Sequence, residues 1–220
     1  MKKFHTRLVY LFSILSIIGL GASIKLSTCD AKEIKKPTVT IIEPEVNPNL
    51  VKFTEARNEL AIQVDAYIKS VAPNSEIDPF VIIDLCAQYD VDLMFVMAQG
   101  QLESHYATKG TAARTNSIFN VGAYDGHSAS RQQRNGFGFD DPNQSIEPYL
   151  VLLTNDYLVN GKTTTDLMAN YVNKYNMRYA SNRKYEAQMR SLYRRISSNA
   201  SLTVAYENFL VSEAALNELA

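Results

Sequence analysis

Tryptophan is absent from the 220 residues, histidine occurs three times, cysteine twice, and the formal net charge is −1 at neutral pH. Each scarcity removes a class of function. Cys29 and Cys86 do not make a disulfide framework. His5, His105 and His127 are too few for a zinc hydrolase, no His/Cys cluster has metal-ligand spacing, and no metal is expected. A chain this close to neutrality gives no whole-molecule reason to expect nucleic acid as a partner. No phosphate-cradling glycine loop, dinucleotide fingerprint or internal repeat occurs, so no cofactor is expected. Any stacking surface has to come from the 13 tyrosines and 9 phenylalanines.

The chain begins with an address. Lys2, Lys3 and Arg7 precede an apolar run from Leu8 to Ile24, which reads as a secretory signal or a signal-anchor helix. Seventeen residues is long for a signal core and sits at the short limit for a membrane span. Leu26-Ser27-Thr28-Cys29 resembles a bacterial lipobox, in which Cys29 is lipidated and becomes residue one. Thr28 stands where Gly, Ala or Ser is usual, and Lys25 interrupts the approach. Residues 1–29 are therefore expected to be a signal peptide or membrane anchor, and either role exports the rest of the chain to the cell envelope. Pro37, Pro44 and Pro48 among charged and β-branched residues make 30–52 an extended tether with a reach of at most ~70 Å. About 150 to 170 residues remain, enough for one hydrophobic core. They divide into a domain over 53–200 and a further amphipathic helix over 201–220. Cys86, inside Val81-Ile-Ile-Asp-Leu-Cys-Ala87, is most simply a small buried hydrophobe.

The informative residue is Glu103. Asp92 is placed to cap a helix that runs through Leu93-Met94-Phe95-Val96-Met97-Ala98, and the chain turns polar and small from Ala107 to Thr115. Glu103 then falls in the last helical turn. Exposed carbonyls make that helix end partially negative and apolar neighbours deny an anion solvent, so both raise the pKa of the carboxyl. An acid held neutral beside a cleft suits glycoside cleavage, where the departing oxygen needs a proton. Helical periodicity links Phe53, Ala56, Leu60, Val64, Tyr67 and Val71, and again Ile146, Tyr149, Leu150, Leu153 and Tyr157 behind a Ser145 cap. Leu167, Met168, Tyr171, Val172 and Tyr175 form another stripe, and Tyr185, Met189, Leu192 and Ile196 follow an Asn182 cap. Ile118 to Tyr124 and Phe137 to Phe139, separated by a Gly, Ser and Asn-rich loop, suit a hairpin. Lys174, Arg178, Arg183, Lys184, Arg190, Arg194 and Arg195 are opposed before Asn199 only by Glu186, a basic face suited to an anionic polymer.

Four segments in order resemble glycoside hydrolase family 73, the endo-β-N-acetylglucosaminidases that cut peptidoglycan. Glu103-Ser-His-Tyr-Ala107 is similar to the family's Glu-Ser-Gly-Trp-Gly, and Asn116-Ser-Ile-Phe-Asn-Val-Gly122 resembles its Asn-Asn-Leu-Phe-Gly-Ile-Lys. Phe137 to Tyr149 resembles the aromatic segment leading into Glu-Ser-Ile and a helix, and Tyr179-Ala-Ser-Asn-Arg-Lys-Tyr185 resembles Tyr-Ala-Thr-Asp-x-x-Tyr. The resemblance covers roughly Pro79 to Ile196.

That resemblance implies a mainly α, lysozyme-like α+β fold with a helical lobe and a small β-hairpin lobe. It implies Glu103 as general acid and peptidoglycan glycan strands as partner, with the membrane engaged through the N-terminal segment. Either a second carboxylate activates water or the substrate's 2-acetamido group attacks. Between Glu103 and Glu147 there is no other glutamate, so the second carboxylate falls to Asp125, Asp140 or Asp141, of which Asp125 stands at the hairpin wall. Tyr179 matches the motif tyrosine that orients the acetamido group, and Tyr185 its second tyrosine, which packs. Phe119, Tyr124, Phe137, Phe139, Tyr185 and His105 are candidates to line the sugar site, and Asn116 and Asn120 to hydrogen-bond it. His105 replaces a glycine beside the acid, and an imidazolium there would depress the acid's pKa. A lytic transglycosylase or muramidase on the same fold and a non-catalytic glycan-binding envelope protein are the alternatives.

Overall fold

The structure is a computed structural model that describes residues 47–121 and 138–218. The leader and lipobox with Cys29, the tether before Asn47, and Tyr124, Asp125 and Phe137 lie outside the described residues. The chain divides at Pro48, and Asn49–Ala220 is one unit. Its described part is mainly helical, with eight α-helices: α1 Pro48–Val71, α2 Pro79–Tyr89, α3 Leu93–Ser104, α4 Ala112–Thr115, α5 Ile146–Leu152, α6 Thr164–Ala169, α7 Tyr185–Ser197 and α8 Ala200–Asn217. A single 3₁₀ turn, Pro142–Ser145, leads into α5, and a π turn, Leu153–Tyr157, ends it.

Helix α3 is the axis. Ten of its twelve residues are buried, which a helix apolar on all sides requires. Asp92 caps it by accepting from the Met94 N–H at 2.8 Å. Around it pack Leu60, Val64, Tyr67 and Ile68 of α1, Ile82, Ile83 and Cys86 of α2, Tyr149 and Leu150 of α5, and Met189 and Ile196 of α7. Cys86 is thus a core residue with a free thiol. Helix α2 begins behind the Asp78 cap, whose side chain accepts from the Phe80 N–H at 2.8 Å. The Arg57 guanidinium ties α1 to α2 by two bonds to Asp84 and lies 4.5 Å from the Phe80 ring centroid.

Several expected boundaries shift. Ser145 is not a cap: its buried hydroxyl donates to Pro142 O at 2.7 Å and accepts from the Ile118 N–H at 3.1 Å, joining the entry to α5 to the segment after α4. The apolar stripe from Leu167 to Tyr175 is not one helix. Helix α6 stops at Ala169, and an antiparallel bridge between Val172 and Arg178 closes a tight turn in which Asn173 Oδ1 accepts from the N–H groups of Tyr175 and Met177. Tyr175 sits at its tip, 69% exposed. Asn182 accepts from the Lys184 N–H just before α7 rather than capping the helix.

The expected β-hairpin lobe is not seen among the described residues. Ile118 to Val121 form turns, and Phe139 reaches the end of α4 through one backbone bond from its N–H to Thr115 O at 2.8 Å. Ile118 and Phe119 are 0% and 1% exposed, and Phe119 stacks on Tyr149 with ring centroids 3.8 Å apart. Their β-branched and aromatic character serves the helical core.

Candidate active site

The C-terminal end of α3 makes the site. Helical hydrogen bonding stops where His105, Tyr106 and Ala107 take φ of 48°, 54° and 65°, three consecutive left-handed residues. The His105 and Tyr106 N–H groups donate to Gln101 O and Gly100 O, each at 3.1 Å, and the Ala107 N–H donates to Ser104 Oγ at 2.8 Å. Gly100 makes the turn fit. A Cβ there would stand 3.2 Å from Tyr106 Cδ1 and 3.3 Å from Ile118 Cγ2. Tyr106 is entirely buried, so the aromatic position of this motif fills the core.

The reversal leaves Glu103 half-buried with each carboxyl oxygen occupied. Oε1 accepts from the Tyr185 hydroxyl at 2.5 Å. Oε2 accepts from Asn120 Nδ2 at 3.3 Å, and the same amide nitrogen donates to the Glu103 backbone carbonyl at 3.4 Å. Burial pushes the carboxyl pKa up, while the Tyr185 and Asn120 bonds pull it partway back, and the net displacement is upward. The Tyr185 phenol is itself held well above its usual range, first by burial and then by the Glu103 charge, so it stays a donor.

Beneath the acid lies a polar network that the sequence did not announce. Gln99, one helical turn before Glu103 and wholly buried, accepts at Oε1 from the Tyr149 hydroxyl at 2.6 Å and the Tyr171 hydroxyl at 2.8 Å. Tyr171 stacks on Tyr179 at 4.7 Å, and Tyr179 lies 5.7 Å from Tyr185, a ladder of rings leading up to the carboxyl. One signal was available: Gln99 is the first polar residue after the apolar run of α3, at i−4 from Glu103.

The other expected site residues divide. Tyr185, expected to pack, lies in the core at 5% exposure and also bonds the acid, whereas the Tyr179 hydroxyl, expected to face the sugar, donates to Phe119 O at 3.0 Å. Phe119 is core and not a sugar platform. Asn116, at φ 52°, ends α4 and donates from Nδ2 to Phe139 O at 3.0 Å and Asp140 O at 3.2 Å, so its amide fastens the returning chain. Phe139 is half-buried beside it. His105 is the C-cap of α3, and among the described residues no hydrogen bond joins its ring to Glu103. Burial and then Lys109 lower the His105 pKa, so the ring is neutral at neutral pH and brings no positive charge to the acid.

Part of the basic face is spent on structure. Arg178 donates to both oxygens of Glu186 at 2.9 and 2.7 Å, Lys174 pairs with Asp156 at 2.7 Å, and Arg190 donates to Met168 O. Arg183, Lys184 and Arg195 remain exposed. A groove of about 500 Å³ opens between α1 and α8, but its walls, which include Lys52, Glu55, Glu59, Asn208 and Val211, contain none of the candidate residues. Among the described residues no group of three or more His, Cys, Asp or Glu could hold a metal ion.

No curated protein and no solved structure matches the chain. A sequence model of the glucosaminidase family, described as mannosyl-glycoprotein endo-beta-N-acetylglucosaminidase, matches residues 81–198. The matched span starts early in α2 and runs to the end of α7, so it carries Glu103 together with both side chains that bond its carboxyl. Because that span is more than half of the chain, the protein belongs to the glucosaminidase family, glycoside hydrolase family 73.

Proposed function

We propose that this domain is an endo-β-N-acetylglucosaminidase that hydrolyses β-1,4 bonds in peptidoglycan strands, with Glu103 as general acid. The observation that carries the reading is a carboxyl at the end of a buried apolar helix, its pKa raised by burial and both its oxygens oriented by neighbours. Tyr185 holds Oε1 at 2.5 Å while Asn120 reaches Oε2 only at 3.3 Å, so the transferable proton belongs on Oε2, the more weakly engaged oxygen. In the reaction that proton passes to the glycosidic oxygen as the bond to the anomeric carbon breaks. The bonding pair leaves with the oxygen, and an oxocarbenium-like centre develops on the sugar. Water then completes hydrolysis, activated by Asp125 or preceded by attack of the 2-acetamido group. The two routes separate in Asp125→Asn, which abolishes turnover in the first and spares it in the second.

The site works outside the cell in this reading. The basic and apolar N-terminal segment exports the domain, lipidation of Cys29 or retention of the apolar run holds it at the membrane, and residues 30–52 give it reach to the wall. Labelling with a radioactive fatty acid, lost in Cys29→Ala, identifies the lipoprotein form, and label-free material in the membrane fraction identifies the anchor.

A zymogram on purified wall material tests the central proposal, with clearing by the parent protein and none by Glu103→Gln. Mass spectrometry of the digest should find reducing N-acetylglucosamine ends. Reducing muramic ends would make the domain a muramidase, anhydromuramic ends a lytic transglycosylase, and wall binding without clearing in either protein would leave only a glycan-binding role.

A further inference from the structure

Among the described residues, the site contains a side chain whose hydrogen bonds all go to Glu103. Asn120 Nδ2 reaches Glu103 Oε2 at 3.3 Å and Glu103 O at 3.4 Å, while its Oδ1 is enclosed and has no hydrogen-bond partner among the described residues. A buried acceptor left unpaired is unfavourable, so the amide is held in this orientation by Glu103 alone. The backbone supports the same view. Asn120 has φ 52°, in the left-handed region that asparagine enters more readily than most residues and glycine enters freely. In the family segment that Asn116 to Gly122 resembles, the corresponding residue is glycine, the residue with the freest access to this region.

We propose that Asn120 is a positioning residue for the acid, its carboxamide clamping Oε2 of Glu103 opposite the Tyr185 hydroxyl on Oε1. The inference rests on the reading of Glu103 as the acid. Two donors on opposite oxygens fix the carboxyl plane, which neither does alone, and direct Oε2 toward the departing oxygen. Donation from the amide also favours the ionised form, counteracting burial, so the clamp brings forward the pH at which the acid loses its proton.

Among the described residues the groups facing the carboxyl are few. Tyr185 approaches from α7, Tyr171 and Tyr179 from the chain between α6 and α7, and Asn120 from the turn after α4. His105, on the reversal after α3, makes no hydrogen bond to it among the described residues. Among the described side chains the Asn120 amide is therefore the one neutral donor besides the Tyr185 phenol whose removal changes the titration of Glu103.

The test is a ¹³C NMR titration of the Glu103 carboxyl carbon in the whole chain without substrate, its signal assigned by its loss in Glu103→Gln. In Asn120→Gly, which the left-handed backbone accepts, the midpoint should rise by about one pH unit. The alkaline limb of the kcat/KM profile for wall digestion should move up by the same amount, over a plateau lowered by the loss of the clamp. Asn120→Asp, which sets a second carboxyl against Oε2, should raise the midpoint further. Midpoints equal to that of the parent in both variants would overturn the clamp. The NMR arm needs no activity. A protein that never digests wall but whose Glu103 midpoint follows Asn120 removes the hydrolase reading and keeps the contact, whereas normal digestion with an unmoved midpoint removes only the clamp.

Discussion

At the scale of the residue, Glu103 is a source of instability. Its pKa is raised above 4.5 in the fold, so between that value and the raised one the folded chain holds more proton than the unfolded chain. Stability from this group is fully present below pH 4.5 and declines as pH rises through that window. Glu103→Gln has no such titration. Calorimetry across pH 4 to 8 should therefore find the Tm of the variant gaining on that of the parent as pH increases, and a constant difference would show the carboxyl to be unperturbed. Tyr185→Phe removes the shorter of the two donors. It should raise the Glu103 midpoint by about one pH unit, with the alkaline limb of wall digestion following, since a hydrogen bond to a charged group contributes about 1.5–3 kcal/mol. The placement of Glu103 in the last turn of α3 and the upward push on its pKa were legible from a carboxylate closing an apolar run. The choice between two tyrosines six residues apart was not, because it depends on whether Phe119 O or Glu103 Oε1 lies within reach of each hydroxyl.

At the scale of the element, the left-handed reversal after α3 sets the acid in place at a cost. Each non-glycine residue in that conformation gives up roughly 1 kcal/mol. His105→Gly should therefore raise stability by about 1 kcal/mol in chemical denaturation, and because the ring is neutral the pH profile of activity should stay where it is. A displaced profile would mean that the imidazole acts on the carboxyl after all. The Asp92 cap and the extent of α3 could be read from sequence because a polar cap followed by an unbroken apolar run has one common interpretation. The segment 118–121 could not. A short β-branched and aromatic run has the same pattern whether it pairs as a strand or plugs a helical core, and only the long-range stacking of Phe119 on Tyr149 decides. The stripe from Leu167 to Tyr175 misled for a related reason: the hydrophobic spacing continues across Asn170, while the backbone leaves the helix there.

At the scale of the whole molecule, α8 belongs to the core although the family match ends before it. Leu202, Ala205 and Phe209 are buried, Phe209 meets Phe53 of α1 at 5.5 Å, and the Tyr206 hydroxyl accepts from the Leu93 N–H at the start of α3 at 3.2 Å. The expected helix over 201–220 therefore docks at the opposite end of α3 from Glu103, about 15 Å away along the helix axis. Its sequence showed a helix but not which neighbour it would choose, because Val204 and Val211 are apolar too and yet stay 55% and 71% exposed. Ending the chain at Asn199 uncovers Leu202 and Phe209 contacts on the order of 5 kcal/mol, comparable with the whole stability of many domains. Circular dichroism of that truncation should show a large loss of cooperative melting, and an unchanged Tm would demote α8 to an appendage.

The hydrogen bond from Asn49 Nδ2 to Ala215 O, 3.3 Å long, brings the beginning of α1 against the end of α8. The first and last described helices therefore share a seam at these ends. A pull exerted on the chain just before Asn49 is expected to load the seam between α1 and α8 first.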